Sequence, residues 1–544
     1  MRKLHQICLL IAFVCLATGV ARAQSFRVQC PTATITHPTA TNNNSEPAYT
    51  APTFTSGQTY VTSNAGHVNG AIKCQQISGG DGYAAMGDGT QTYLFSFGPL
   101  SGLADIASGQ PGTEFPNVFN SLYSGATPLQ PGDPATTMDG GHAFTYNGAV
   151  GLIPDLDVNN GSGTAGAPID GHVDPRPIED VGVMNGNIPA PLMAIDEDDE
   201  FFLTLTNVGM IMRPDLFEQH TVHFHGYPNA SSFYDGVPDA SVAINIGGSF
   251  TYYYLAPDAG TYFWHCHITP PEHLQMGMVG QIYVRPRQNR VPSTTTLYAA
   301  LQQQEADPRT ACRRPGDSVS PAVTTSPDIL CSNPLPPVNT LVTGGAKYAY
   351  NDGDGSTAYD VEYPIQIHGF DPSFHFVGMT FNPENFVDMK DKYFLLNGRS
   401  YPDTVTPGPL ETQSADGVNH FSQPLPTIIN IPAGKKALLR ISDLDVTEFQ
   451  TLASLGIPMQ VIAINAKLLR DQAGNNLYYN TNSITLGGGE SLDVVLDACA
   501  VRASTGSCTT PMATGTYYLY TPNLDHLSND AENFGGLMTE VHVN

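Results

Sequence analysis

From about Tyr60 to the C-terminus, apolar and polar residues alternate in short runs broken by Gly, Pro and Asn. No window sustains a 3.6-residue apolar period, so the pattern predicts strands rather than helices, arranged as an all-β sandwich or barrel. Two stretches interrupt it. Residues Gly109–Asp180 are dense in Gly, Pro and Asp and read as long surface loops, while the polar, Pro-rich run Arg287–Asn339 reads as a linker. Residues 24–59, rich in Thr, Pro, Ala and Asn, read as an extended arm. The expected organisation is a first β-rich domain at 60–286 carrying the Gly/Pro-rich insertion, a linker at 287–344, and a second β-rich domain at 345–544.

The two β-rich regions read as copies of one unit. Gly260-Thr-Tyr-Phe-Trp-His-Cys-His267 aligns without a gap to Gly515-Thr-Tyr-Tyr-Leu-Tyr-Thr-Pro522, and His220-Thr-Val-His-Phe-His-Gly226 aligns with Gln450-Thr-Leu-Ala-Ser-Leu-Gly456. In the second copy Gln450, Ala453, Leu455, Tyr520, Thr521 and Pro522 stand where the first has His or Cys. One copy is equipped to bind something; the other only folds.

The first residues narrow the compartment. Arg2 and Lys3 precede an apolar run from Ile7 to Val20, and Ala21-Arg22-Ala23 is an A-x-A cleavage pattern, so residues 1–23 read as a secretory signal. The run is shorter than the roughly 20 residues a membrane span needs. Export places the chain in the periplasm, at the cell surface or outside the cell. The net charge is −27, and loss of Arg2, Lys3 and Arg22 with the signal makes it three units more negative. Nucleic acid and anionic membrane are therefore poor partners, and metal cations or cationic partners suit it. Without Cys8 and Cys15, seven cysteines remain. Cys30 with Cys74, Cys312 with Cys331 and Cys499 with Cys508 are neighbouring pairs suited to disulfides in an oxidising compartment. Cys266 is left over.

The neighbours of Cys266 supply a reason. Six of the sixteen histidines fall in two short segments: His220, His223 and His225, then His265, His267 and His273. Side chains alternate across a strand, so residues two apart share a face and residues three apart do not. His223 and His225 thus point one way and His220 the other, while His265 and His267 share a face opposite Cys266. One candidate set is His220, Cys266 and His273, with Met278 five residues on. A thiolate, two imidazoles and a weak thioether are the donors of a type 1 (blue) copper site, whereas zinc, the competing metal, has no need of the methionine. The other set is His223, His225, His265 and His267, suited to copper that handles a small oxygen species. Cys266 is bonded through the backbone to both flanking histidines, a route on the order of 10 Å between the sets.

Trp264-His-Cys-His-Ile268 and His220-Thr-Val-His-Phe-His-Gly226 resemble the copper motifs of multicopper oxidases such as laccases and bacterial ferroxidases, as do the openings at Asn185-Gly and Asn397-Gly-Arg-Ser-Tyr-Pro402. The resemblance covers most of 180–286 and 345–544. It implies two cupredoxin-like Greek-key β-sandwich domains with long loops, with copper in the first and none in the second. It matches His220, Cys266, His273 and Met278 to type 1 ligands, and His223, His225, His265 and His267 to half of a type 2/type 3 copper cluster. Two departures stand out. Five residues, Ile268–Glu272, separate His267 from His273 where the family usually has three, and no second H-x-H-G and H-x-H pair supplies the other half of the cluster. The spacing His220 to His225, with His265-Cys266, also resembles copper nitrite reductase, in which a neighbouring subunit of a trimer completes one copper. His368, His375 and His526 are candidates for such a donated ligand.

Two functional readings follow. In one, the protein is a copper-dependent oxidoreductase that oxidises a metal ion or small reductant at type 1 copper and reduces oxygen at a cluster. A homotrimer or a partner subunit would then complete that cluster. In the other, it is a non-enzymatic secreted or surface protein that binds type 1 copper for electron transfer with a redox protein. Fe(II), Mn(II), Cu(I), a phenol or a protein remain open as donors. Two further features have both a functional and a plain reading: Asp196-Glu-Asp-Asp-Glu200 as cation collector or solvated turn, and Glu272 as an aid to cationic substrates or an ordinary loop acid; Trp264 reads as core packing beside the copper strand.

Overall fold

The computed structural model describes residues 29–34, 37, 40–49, 70–123, 169–170, 184–213, 215–226, 231–256, 258–292, 296–297, 346–378, 380, 385–413, 419–471 and 474–544. The proposed signal, the Cys312–Cys331 pair and most of the linker lie outside them. Among the described residues, strands dominate and helices are one or two turns long, so the architecture is all-β. No helix there is long and apolar enough to cross a membrane.

The N-terminal half holds two four-stranded sheets. Its strands are β1 (Ile72–Ala85), β2 (Gln91–Pro99), β3 (Met193–Asp196), β4 (Glu200–Gly209), β5 (His223–Phe224), β6 (Ser249–Leu255), β7 (Gly260–His265) and β8 (Val279–Arg285), and a short helix, here α1 (Pro270–Gln275), joins β7 to β8. One sheet has the order β2-β1-β4-β6, with β1 and β4 parallel; the other has the order β3-β8-β7-β5. Their facing sides pack Phe95, Phe97, Leu203, Leu205, Tyr252, Trp264, Ile282 and Cys266 into one core. Burial of alternate residues on both inner faces is what the period-two pattern dictates. Trp264 is fully buried between Phe97 and Phe224, as expected of core packing.

The C-terminal half has a seven-stranded sheet built around Val361–Phe370, Lys436–Asp443 and Glu490–Asp497, and a five-stranded sheet containing Gln450–Leu455 and Gly515–Tyr520. These close over a second apolar core of Ile, Leu and Val. Gly260 and Gly515, equivalent in the aligned copies, share the same φ of +152°, a backbone that glycine adopts without strain.

Three sequence expectations change. Residues 109–180 are not loop throughout: Pro116–Phe119 is a short helix, and Leu122–Tyr123 pairs with Ile169–Asp170. Proline at the first helical position and the Glu114–Cys74 backbone pairing hold that helix against β1. The acidic run 196–200 is neither a solvated turn nor an open cation site, because all five residues are buried. Arg287 lies across it, donating through Nε and Nη2 to the two oxygens of Asp198 at 2.8 Å each, while Arg290 and Arg285 pair with Asp198 and Asp196. Glu200 accepts from His37 Nδ1 at 2.5 Å and from Thr34, which seats the N-terminal arm. The start of the proposed linker is consequently a buried clamp, the turn Arg287–Arg290, rather than a free tether.

A buried carboxylate survives only with its partner. Arg287→Ala removes the two-pronged partner of Asp198 and the nearest cation of Glu197, leaving Arg290 alone to face Asp198, and is expected to destabilise the protein by roughly 3 kcal/mol, measured by chemical denaturation. Disulfides join Cys30 to Cys74 and Cys499 to Cys508, and Cys266 is the free cysteine among the described residues.

Candidate metal centre

Between the N-terminal sheets, three residues from separate elements meet. His220 precedes β5, its backbone paired with Ile244; Cys266 follows β7; His273 is carried by α1. Their ligand atoms all lie within 4.8 Å of one another and all three residues are buried. The Sγ of Cys266 is 3.2 Å from Nδ1 of His273 and 4.0 Å from Nδ1 of His220. The backbone N–H of Thr221 points at the same sulfur from 3.4 Å.

The longer segment before His273 holds the start of α1 at Pro270, and the loop still closes. Met278 N donates to His273 O at 2.9 Å, and Cys266 N donates to Met278 O at 3.2 Å. Met278 is fully buried in the same core as Cys266. Gly79 of β1 explains how its methyl reaches the site: a Cβ there would lie 2.8 Å from Cδ2 of His220 and 3.5 Å from Cε of Met278. Phe95 of β2 closes the pocket, its ring 5.1 Å from that of His273 and 6.5 Å from that of His220.

Electrostatics favour a thiolate. Burial pushes the Cys266 thiol up, but the charge on His273 and hydrogen bonds from His220 and His273 hold it well below the ordinary thiol value. Burial likewise lowers His273, yet the facing sulfur and Glu218 raise it to about 10. The pair therefore holds one proton between sulfur and ring nitrogen, where a metal cation would take its place. A dry pocket offering one thiolate, two imidazole Nδ1 atoms and an adjacent thioether suits copper in both its oxidation states.

The second set lies on the opposite face, as strand parity requires. His223, His225 and His265 bring ligand atoms within 4.8 Å of one another, with the Nε2 atoms of His225 and His265 2.9 Å apart. The His267 ring stands 4.9 Å from that of His223 and 5.6 Å from that of His265. Two Nδ1 atoms are tied to backbone: His223 donates to the carbonyl of Asp235 at 2.6 Å, and His265 to the carbonyl of Cys266 at 2.7 Å. Such bonds fix the tautomer and leave Nε2 free for a ligand. Burial, aided by the neighbouring rings, lowers His225 to about 4 and His265 to about 3. Both are neutral imidazoles at ordinary pH, the form that binds metal.

A family model described as "Multicopper oxidase" matches residues 170–289, the segment that carries both sets. Over that stretch the chain is similar to the multicopper oxidases. Laccase abr2 of Aspergillus fumigatus is 34% identical over 20% of this chain and 17% of its own length. Laccase-1 of Emericella nidulans is 34% identical over 23% of this chain and 18% of its own length. A copper-containing nitrite reductase of Rhizobium meliloti is 35% identical over 19% of this chain and 26% of its own length. The chain thus spans only about a sixth to a quarter of the length of these curated relatives. Among solved structures, a Blue Copper Oxidase from Nitrosomonas europaea aligns with TM-score 0.42 and 20% identity over 66% of this chain and 78% of that one. The matched segment is the one that carries both His/Cys groups, and copper is the metal that this match and their donors imply.

The structure brings together every histidine of the two predicted sets, but not the three candidates for a donated ligand. His368, His375 and His526 are at most 2% exposed. His526 is bonded to Gln450 and Glu448, each at 3.0 Å, His375 to the carbonyls of Tyr93 and Gln275, and His368 to that of Leu444. Side chains spent on their own fold are not presented to a neighbour. Glu272, expected beside His273, is 8% exposed and offers little to an arriving cation. Glu218 occupies that position instead, its carboxylate 3.6 Å from Nε2 of His273 and its side chain 24% exposed. Sequence reasoning missed it, although the two-residue step from Glu218 to His220 is the same parity signal that sorted the histidines.

Proposed function

We propose that the chain is a copper-dependent oxidoreductase, with an N-terminal copper unit at 60–286 and a C-terminal unit at 345–544 that supplies no ligand. It takes single electrons from a small reductant or metal ion on the His273 side and delivers them to oxygen on the side of His223, His225, His265 and His267. His220, Cys266, His273 and Met278 hold type 1 copper, and the four other histidines hold copper at the oxygen side. Copper so held supplies one-electron chemistry by cycling between Cu(I) and Cu(II).

The observation that carries this reading is the double engagement of Cys266. Its sulfur faces the imidazoles of one set, while its carbonyl accepts from His265 of the other at 2.7 Å. One residue therefore joins the two sets by a covalent path and by a hydrogen bond. Glu218, beside the outer nitrogen of His273, orients that ring and attracts cationic donors. The shell around Cys266, with Phe95, Met276 and Trp264 fully buried, excludes water from the first set.

A second reading, electron transfer without oxygen chemistry, is favoured by the burial of His368, His375 and His526, which leaves four imidazoles at the second set among the described residues. Under the oxidase reading, further ligands come from a second copy of the chain, as in a homotrimer, or from a partner subunit. Metal analysis with an oxygen electrode tests the choice. The oxidase is expected to hold more than one copper per chain and to consume oxygen when given a reductant such as Fe(II) or a phenol. One copper per chain in every oligomeric state, with no oxygen uptake, would overturn it.

A further inference from the structure

Among the described residues, the C-terminal half brings no side chain into either His/Cys group, yet it grips the loop that carries His273. Gln275 ends α1, two residues beyond His273, and is fully buried. Its Oε1 accepts from the backbone N–H of Asp371 at 2.8 Å, and its Nε2 donates to Oδ1 of Asp391 at 2.9 Å. Its backbone carbonyl lies 2.9 Å from Nε2 of His375, and Nδ1 of the same ring lies 2.5 Å from the carbonyl of Tyr93 on β2, so the neutral ring sits between the two carbonyls and donates to one of them at a time. All three grips on Gln275 come from residues 371–391, beyond the first pair of sheets.

Those grips are anchored in turn. Asp391 accepts from the hydroxyl of Thr447. Burial and the facing Asp445 raise its carboxyl well above the usual range. Gly369 makes room for the pair, since a Cβ there would collide with both carboxylates. Asp445 accepts from Nε2 of Gln450 at 2.7 Å, and Gln450 accepts from Nδ1 of His526 at 3.0 Å. Gln450 is the position that aligns with His220. Where the first copy has a candidate copper ligand, the second thus has part of a buried hydrogen-bond network that runs to the loop of the first.

A hydrogen bond to a buried group is costly to break, and an amide held at both ends has one place to sit. Gln275, His273 and Met278 share one tightly closed turn, with Met278 N bonded to His273 O. A displacement of Gln275 would therefore move the imidazole and the thioether relative to Cys266. We propose that Gln275 is a positioning residue for the type 1 site, through which the C-terminal half sets the geometry of His273 and hence the properties of copper bound there. This rests on the type 1 reading above.

The test uses the full copper-loaded chain. Gln275→Leu keeps the bulk and loses both side-chain bonds; Asp391→Leu removes one acceptor, and Asp391→Asn keeps it. Gln275→Leu and Asp391→Leu should shift the visible absorption maximum, the copper hyperfine splitting and the reduction potential. They should also release type 1 copper to a chelator roughly tenfold faster or more. Asp391→Asn should match the parent in all four readouts. Folded Gln275→Leu and Asp391→Leu proteins with the parent's spectrum, potential and release rate would overturn the proposal. So would an Asp391→Asn protein displaced as far as Asp391→Leu, because Asn keeps both the shape and the acceptor for Gln275, and the effect would then not run through that bond. Should either Leu variant fail to fold, Gln275→Asn, too short to reach both partners, is judged by the same criteria. A parent protein with no blue copper would refute the type 1 reading itself, separately from the role of Gln275.

Discussion

Cys266→Ser should remove the intense visible absorption of the copper-loaded protein completely while leaving the fold in place. The colour of a type 1 site comes from the thiolate–copper bond, and a serine hydroxyl at this position has neither the softness nor the acidity to replace it. The local geometry makes the outcome all-or-none. Cys266 is fully buried, is the free cysteine among the described residues, and stands 3.2 Å and 4.0 Å from the two imidazole nitrogens it would share a metal with. No second sulfur donor of comparable strength is nearby, because Met278 and Met276 are thioethers. Serine is also slightly smaller, so the Thr221 N–H keeps an acceptor and the core suffers no overpacking. Absorption spectroscopy of parent and variant, with copper measured on each, checks the expectation. An intense blue band that survives the substitution would end the type 1 assignment.

Much of the candidate site was legible in the sequence because strand geometry is a strict rule. Two-residue and three-residue steps sorted His220 from His223 and His225, and Cys266 from its flanking histidines, and the folded chain keeps that sorting. The internal repeat was legible for the same reason: Gly260 and Gly515 head aligned strands and share one backbone conformation. Contacts that depend on distant partners were not legible. The run Asp196–Glu200 looks like a solvated turn until Arg287 and Arg290, some ninety residues away, are brought across it. Charge density alone cannot tell exposed acids from neutralised ones. Gln275 likewise carries no local signal, since its importance lies in Asp371, His375 and Asp391. His526 was misread for a related reason. A histidine after a degenerate copper strand invites a ligand role, but its ring is stacked on Phe394 at 3.8 Å and both its nitrogens are engaged.

His265→Ala should separate the two halves of the chemistry. The ring is 4% exposed, its Nε2 lies 2.9 Å from that of His225, and it points away from the sulfur of the adjacent Cys266. Its loss takes one of the three imidazoles whose donor atoms converge and leaves His223 and His225 with too few partners to hold a metal ion firmly. Oxygen uptake should fall to background, and the copper content should drop by whatever the second set holds. The blue band should remain, because none of His220, Cys266, His273 and Met278 is touched. A modest shift of that band is expected, since the Cys266 carbonyl loses the 2.7 Å bond from His265 Nδ1, and such outer contacts tune a bound metal. His223→Ala should repeat the loss of oxygen uptake without even that shift, because its Nδ1 is tied to Asp235 instead. Sustained oxygen consumption in both variants would place oxygen reduction somewhere other than this cluster. Loss of the blue copper together with oxygen uptake would show that the two sets are one inseparable unit rather than two sites joined through Cys266.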